Sequence, residues 1–148
     1  MLHILLHMDG RKVPLTSQDA AAMLDTNAVV VRRTMAGLRD AGHVRSVKGH
    51  GGGWTLNRGL SEITVFDVYK ALGEPRVFSI APANPTPRCL VEQAVNASME
   101  TALSNAEKLL TDHFARISLA DIAADFDKRL TAMGLSRAAL QERAHISG

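Results

Sequence analysis

Five consecutive residues, Gly49-His50-Gly51-Gly52-Gly53, constrain this chain more than any other stretch. A run almost free of side chains has no helix propensity and nothing to bury in a core, so it marks a tight, exposed connection. The flanking segments 44–48 and 54–57 carry Val, Trp, Thr and Leu and read as two short strands. Residues 44–57 are therefore expected to form a β-hairpin with a glycine tip. The run does not fit a nucleotide-binding loop, because it lacks the Lys-Ser/Thr ending and lies between strands rather than before a helix.

What precedes the hairpin is helical. Thr16 stands three residues before Asp19 and just ahead of inward-facing Ala20, Ala21 and Leu24, the pattern of a capped helix. Asp25-Thr26-Asn27 then offers a turn and a second cap. From about residue 28 to 41, Val31, Met35 and Leu38 recur at i, i+4 and i+7 on one face, and Gly42 follows where a helix ends. The triple valine 29–31 permits a strand, but the cap, the Arg-rich continuation and Gly42 favour a helix. Two helices joined by a tight turn and followed by a hairpin make a winged helix-turn-helix.

Beyond the hairpin, Thr64 with Asp67 and Ser118 with Asp121 mark two further helix starts. Prolines at 75, 82, 85 and 87 exclude regular structure between about 77 and 87. After Cys89, apolar residues recur at steps of three or four: Val91, Val95, Met99, Ala102, Ala106, Leu109, Leu110, Phe114 and Ile117. That implies a helix of about 25 residues and roughly 37 Å. Its apolar face exceeds what a small head can cover, so a second copy is the expected cover, with Val95, Met99, Leu103, Leu110 and Phe114 as contacts. The competing arrangement packs this helix against the one beginning at Ser118. The expected fold class is mainly α with a small β-hairpin wing. The expected division is 1–74 as a DNA-binding head, 75–89 as a linker, 90–133 as dimerisation helices and 134–148 as a fraying tail.

Charge is unevenly divided. Residues 1–60 hold eight Arg or Lys against four Asp, a net of +4, whereas the remainder holds nine basic and eleven acidic residues, a net of −2. A basic head beside a mildly acidic partner segment suits a polyanion at the head. Opposite the buried face of the second helix lie Val29, Arg32, Arg33 and Ala36, with Asn27 at the tip, two cations among small side chains. In the wing, Arg45, Lys48 and His50 surround Gly49 and Gly51, whose bare amides can approach phosphates.

The run Leu38-Arg39-Asp40-Ala41-Gly42-His43-Val44-Arg45-Ser46-Val47-Lys48-Gly49-His50-Gly51-Gly52-Gly53-Trp54-Thr55-Leu56, followed by Ile63-Thr64-Val65-Phe66-Asp67-Val68, resembles the signature of the Rrf2 family of bacterial transcription regulators. The resemblance extends from His3 to about Leu130. It implies a homodimeric, cytoplasmic regulator, expected to be a repressor, that binds a roughly palindromic double-stranded operator. It also implies DNA contacts at Asn27, Val29, Arg32 and Arg33 in the helix and at Lys48, Gly49 and His50 in the wing. Lys48 stands where arginine is usual and Trp54 where tyrosine is usual. Many members hold an iron-sulfur cluster on three cysteines, whereas this chain has only Cys89, so the expectation is the cluster-free branch with no cofactor.

Cys89 precedes the long helix, where a helix N-terminus favours a thiolate, which makes it a candidate redox sensor; the alternative is a packing residue. It has no acid partner or oxyanion feature, so catalysis is not expected. His3 and His7, at i and i+4, lack a third ligand and make a poor metal site. Residues 1–8 start directly on apolar helical positions, earlier than the resembled family does, which suggests an upstream start. No apolar run approaches the ~20 residues of a membrane span, and a single cysteine suits a reducing compartment. No residue pattern names an effector. A different class of function would be a regulatory protein acting through the long helix on a partner protein.

Overall fold

The computed structural model describes residues 1–80, 84 and 86–136. Parts of the proline-rich segment and the tail from residue 137 on, both expected to be irregular, lie outside the described residues. The chain opens with helix α1 (Leu2–Met8), whose Ile4, Leu5 and Met8 are buried. Helix α2 (Ser17–Met23) starts where the sequence places its cap: Thr16 Oγ1 accepts from the Asp19 amide at 3.1 Å. A turn through Asp25 leads to α3 (Ala28–Asp40), which begins at Asn27 and is helical through all three valines. Burial of Val31, Met35 and Leu38 on one face decides for helix over strand, since a strand would send alternate residues to opposite sides.

Helix α3 ends in a paired turn: Gly42 N–H donates to Arg39 O at 2.8 Å and His43 N–H to Leu38 O at 2.9 Å. That turn aims the chain into strand β1 (Val44–Val47), which pairs antiparallel with β2 (Gly53–Leu56) in the register Val44 opposite Leu56. The hairpin is tied to the head by three bonds that the sequence did not reveal. Leu15 and Trp54 exchange backbone hydrogen bonds of 3.0 and 2.9 Å, and the Trp54 indole donates to Ser17 Oγ at 2.9 Å.

A single 3₁₀ turn (Leu60–Glu62) precedes α4 (Val65–Ala71), whose start is a reciprocal cap: Asp67 N–H donates to Thr64 Oγ1 and Thr64 N–H to Asp67 Oδ2. Ser118 and Asp121 repeat the arrangement at α6 (Leu119–Ala132). Between them runs α5 (Leu90–Phe114), 25 residues long and without one buried residue. Helix α6 returns to the head: Leu119 N–H donates to Ile63 O at 2.8 Å, and Leu119 and Ala123 join the core formed by α1, α2, α3 and the hairpin. Among the described residues no helix is long and apolar enough to cross a membrane.

Helix α4 lies directly on α3. At Gly37 any Cβ would run into the carbonyl oxygen of Ala71, so only glycine allows the two backbones to approach this closely. Beside that crossing a cleft of about 560 Å³ is lined by His43, Arg58, Asp67 and Lys70 among others. His43 is buried and its Nδ1 has no partner among the described residues. Burial holds its pKa below the ordinary imidazole value, with Arg58 and Lys70 adding to the effect and Asp67 opposing it.

A histidine that resists protonation in the native state leaves the unfolded chain as the better proton binder as the solution is acidified. Its contribution to stability is complete above the ordinary imidazole value and falls as pH drops through it. His43→Leu should abolish this loss and be at least as stable near neutrality, because it removes an unsatisfied buried nitrogen. Urea midpoints at about pH 7.5 and 5.5, either side of the imidazole value, read the effect; an equal acid-side loss in the variant would contradict it.

Candidate nucleic-acid interface

The buried face of α3 fixes what the opposite face presents. With Val31, Met35 and Leu38 inward, the line farthest from the core passes through Val29, Arg33, Ala36 and Asp40, at helical steps of four, three and four. Val29 is 64% exposed, and Arg33 is exposed with no hydrogen-bond or ion-pair partner among the described residues. Arg32 lies on the flank of that line, and its Nε donates to Ala28 O at 3.3 Å, which lays the side chain along the helix. Asn27 Oδ1 accepts from the Val29 amide at 2.8 Å, so the oxygen is spent on capping the helix. At the far end Arg39 grips Asp40 Oδ1 through Nε and Nη2 at 3.0 and 2.8 Å. That pair is neutral overall and adds no attraction for phosphate, so the unpaired positive charge of α3 lies on its earlier turns.

The wing is a tight turn closed by Gly52 N–H on Gly49 O at 2.9 Å. Gly49 and Gly51 have φ of +95° and +78°, which a residue with a side chain adopts only under strain. Lys48 and His50 stand exposed beside these bare glycines, and Lys48 has no ion-pair partner among the described residues. Arg45 differs: its Nε donates to Thr55 Oγ1 across the hairpin at 3.0 Å, so it braces the wing as well as carrying charge. The sequence reading missed Val30, which is 46% exposed at the start of α3. Its position a third of a turn from Val31 was the available signal. Asp40 was also missed, and its place one turn beyond Ala36 would have revealed it.

On α5 the expected association residues divide between two faces. Val95 and Met99 belong to an exposed apolar stripe with Val91, Ala102, Ala106 and Leu109, of which Val95 is 55% and Leu109 74% exposed. Leu103, Leu110 and Phe114 lie about a quarter-turn away and are half-buried. That second face meets the chain itself, the Phe114 and Tyr69 rings having centroids 6.1 Å apart. Cys89 is exposed at the start of α5, and the backbone amides of Glu92 and Val91 hold its thiol below the ordinary cysteine value. His3 and His7 bring their Nε2 atoms to 2.9 Å, and among the described residues no third His, Cys, Asp or Glu joins them or forms another metal-sized group.

Sequence profiles match this chain to the Rrf2 family, described as an iron-dependent transcriptional regulator, over residues 1–125. The chain is 27% identical to the HTH-type transcriptional regulator YwnA of Bacillus subtilis over 123 residues, which is 82% of this chain and 90% of that protein. Among solved structures, a transcriptional regulator from Lactobacillus plantarum superposes with a TM-score of 0.72 at 18% identity, covering 99% of this chain and 95% of the other. CymR, the global cysteine regulator of Bacillus subtilis, superposes with a TM-score of 0.59 at 20% identity over 83% of this chain and 87% of its own. The donors do not fit an iron group. One cysteine in 148 residues cannot supply the thiolates of a cluster, and the described residues bring no other set of three ligands together.

Proposed function

The chain belongs to the Rrf2 family of transcriptional regulators, and from that premise we propose that it is a cytoplasmic repressor that binds a roughly palindromic DNA operator as a homodimer, without a cofactor. The observation that carries this reading is the presence of two cations without a partner among the described residues, Arg33 on the exposed line of α3 and Lys48 at the glycine wing. In it, α3 enters the major groove with Asn27, Val29 and Arg33 foremost and Arg32 on the flank. Arg45, Lys48, Gly49, His50 and Gly51 lie along the phosphate backbone. The head consists of residues 1–74 with the start of α6 closing its core.

Each phosphate neutralised by a cation releases counterions, so affinity for duplexes selected from a random pool should fall steeply with salt. Lys48→Ala should weaken all sequences alike and make the salt dependence shallower by about one phosphate's worth, whereas Arg33→Ala should in addition relax the preference at one base pair. Electrophoretic mobility shifts across a salt series read both. Unchanged binding by both variants would move the site elsewhere.

The second copy is proposed to sit on the exposed stripe of α5, from Val91 and Val95 through Met99 to Leu109, with Leu103, Leu110 and Phe114 at its edge. An apolar stripe left exposed on a helix without one fully buried residue supports this. Because Val95 and Leu109 are exposed, Val95→Glu and Leu109→Glu leave the head intact and act only on association. Sedimentation should find monomers with native circular dichroism that have lost selective operator binding; persistent dimers would refute the assignment.

Cys89 is proposed as the redox-responsive position, supported by its exposure and by a thiol biased toward thiolate. Peroxide should release the operator from the parent and not from Cys89→Ser. Equal release from both would leave Cys89 a residue of the helix start and nothing more.

A further inference from the structure

The recognition surface of α3 is narrow enough to assign bases to side chains. Before Asp40 ends it, the line carries one exposed apolar side chain and one exposed cation, Val29 on the first turn and Arg33 directly above it on the next, with half-buried Ala36 beyond. Two other candidates are committed elsewhere. Reading adenine takes both the oxygen and the nitrogen of an amide, and the Asn27 oxygen already caps the helix at 2.8 Å. Arg32 lies off the line with its Nε on Ala28 O, a position suited to phosphate rather than to a base edge.

A β-branched residue at an exposed helical position contributes less to the helix than alanine would and leaves apolar surface in water. Val31 offsets that disadvantage by burial in the core, but Val29 does not, being 64% exposed. In the major groove one apolar group projects from the base pairs, the C5-methyl of thymine, and one base presents two acceptors to a guanidinium, guanine through O6 and N7. Val29 and Arg33 lie four residues apart, an axial separation of about 6 Å, less than two base-pair steps of ~3.4 Å.

We propose that Val29 reads a thymine methyl and Arg33 reads a guanine within two base pairs of it, so that each operator half-site carries this thymine and guanine side by side or one pair apart. The assignment rests on the operator-binding reading above and deepens it. Ala36, the next residue on the line, is small and half-buried, so α3 can approach the base edges closely there.

The test uses the full chain and duplexes selected by it from a random pool. Each thymine in turn is replaced by deoxyuridine, which removes the methyl group alone, and each guanine by 7-deazaguanine, which removes N7. One thymine per half-site should show about fourfold weaker binding on losing its methyl, the worth of one buried apolar carbon. The Val29→Ala variant should bind the thymine and deoxyuridine duplexes equally. A guanine within two base pairs should be sensitive to 7-deaza replacement in the parent and insensitive in Arg33→Ala. If the parent binds selectively and with strong salt dependence but no deoxyuridine replacement matters, or if Val29→Ala keeps the discrimination, the base assignment is wrong while operator binding stands. If no duplex is enriched from the pool, the operator reading fails and the assignment falls with it.

Discussion

Burial of Val31, Met35 and Leu38 beneath α1, α2 and the hairpin is the constraint on which the rest depends. Each of these side chains is at most 1% exposed and contributes on the order of 1.5–3 kcal/mol to stability by leaving water. A helix so held cannot rotate about its axis, and its outward line is therefore determined before any ligand arrives. The same constraint sets the wing, because the turn at Gly42 follows directly from the last buried position, Leu38, whose carbonyl accepts from His43 N–H. Leu15 and Ser17 then hold Trp54, so the hairpin is anchored at its base while its glycine tip stays bare.

Helix α5 obeys a different rule. None of its 25 residues is buried, so in this chain it rests on its own backbone hydrogen bonds and on one half-covered face. Its two apolar faces divide the labour: one turns to α4 through Phe114 and Tyr69, the other carries Val91, Val95 and Leu109 in the open. Helix α4 thus touches α5 on one side and, at the Gly37 and Ala71 crossing, α3 on the other.

Much of this was legible in the sequence because local chemistry decides it. Thr16, Thr64 and Ser118 each pair with an aspartate three residues on, and each caps a helix in the structure. The glycine run could hardly be anything but a turn, and Asn27 and Gly42 bracket α3 closely enough to overrule three valines. Periodicity told less about partners. A repeat at steps of three and four marked Val95 and Phe114 alike, yet they lie on different faces, since the repeat says which residues are apolar and not what covers them. For the same reason α6 could not be seen returning to Ile63, nor Leu15 joining Trp54, because both are long-range backbone pairings without a side-chain signature. His43 reads as an ordinary polar residue after a glycine, and only its place in the folded chain makes it buried.

The proposed dimer places two copies of α3 in successive major grooves on one side of a duplex. Methylation interference with dimethyl sulfate tests this most directly, since it modifies guanine N7 in the major groove and adenine N3 in the minor. Such a dimer should give interference at guanine N7 in two patches about 34 Å apart, one turn of B-DNA, related by the symmetry of the operator. A single patch, or interference confined to adenine N3, would contradict it.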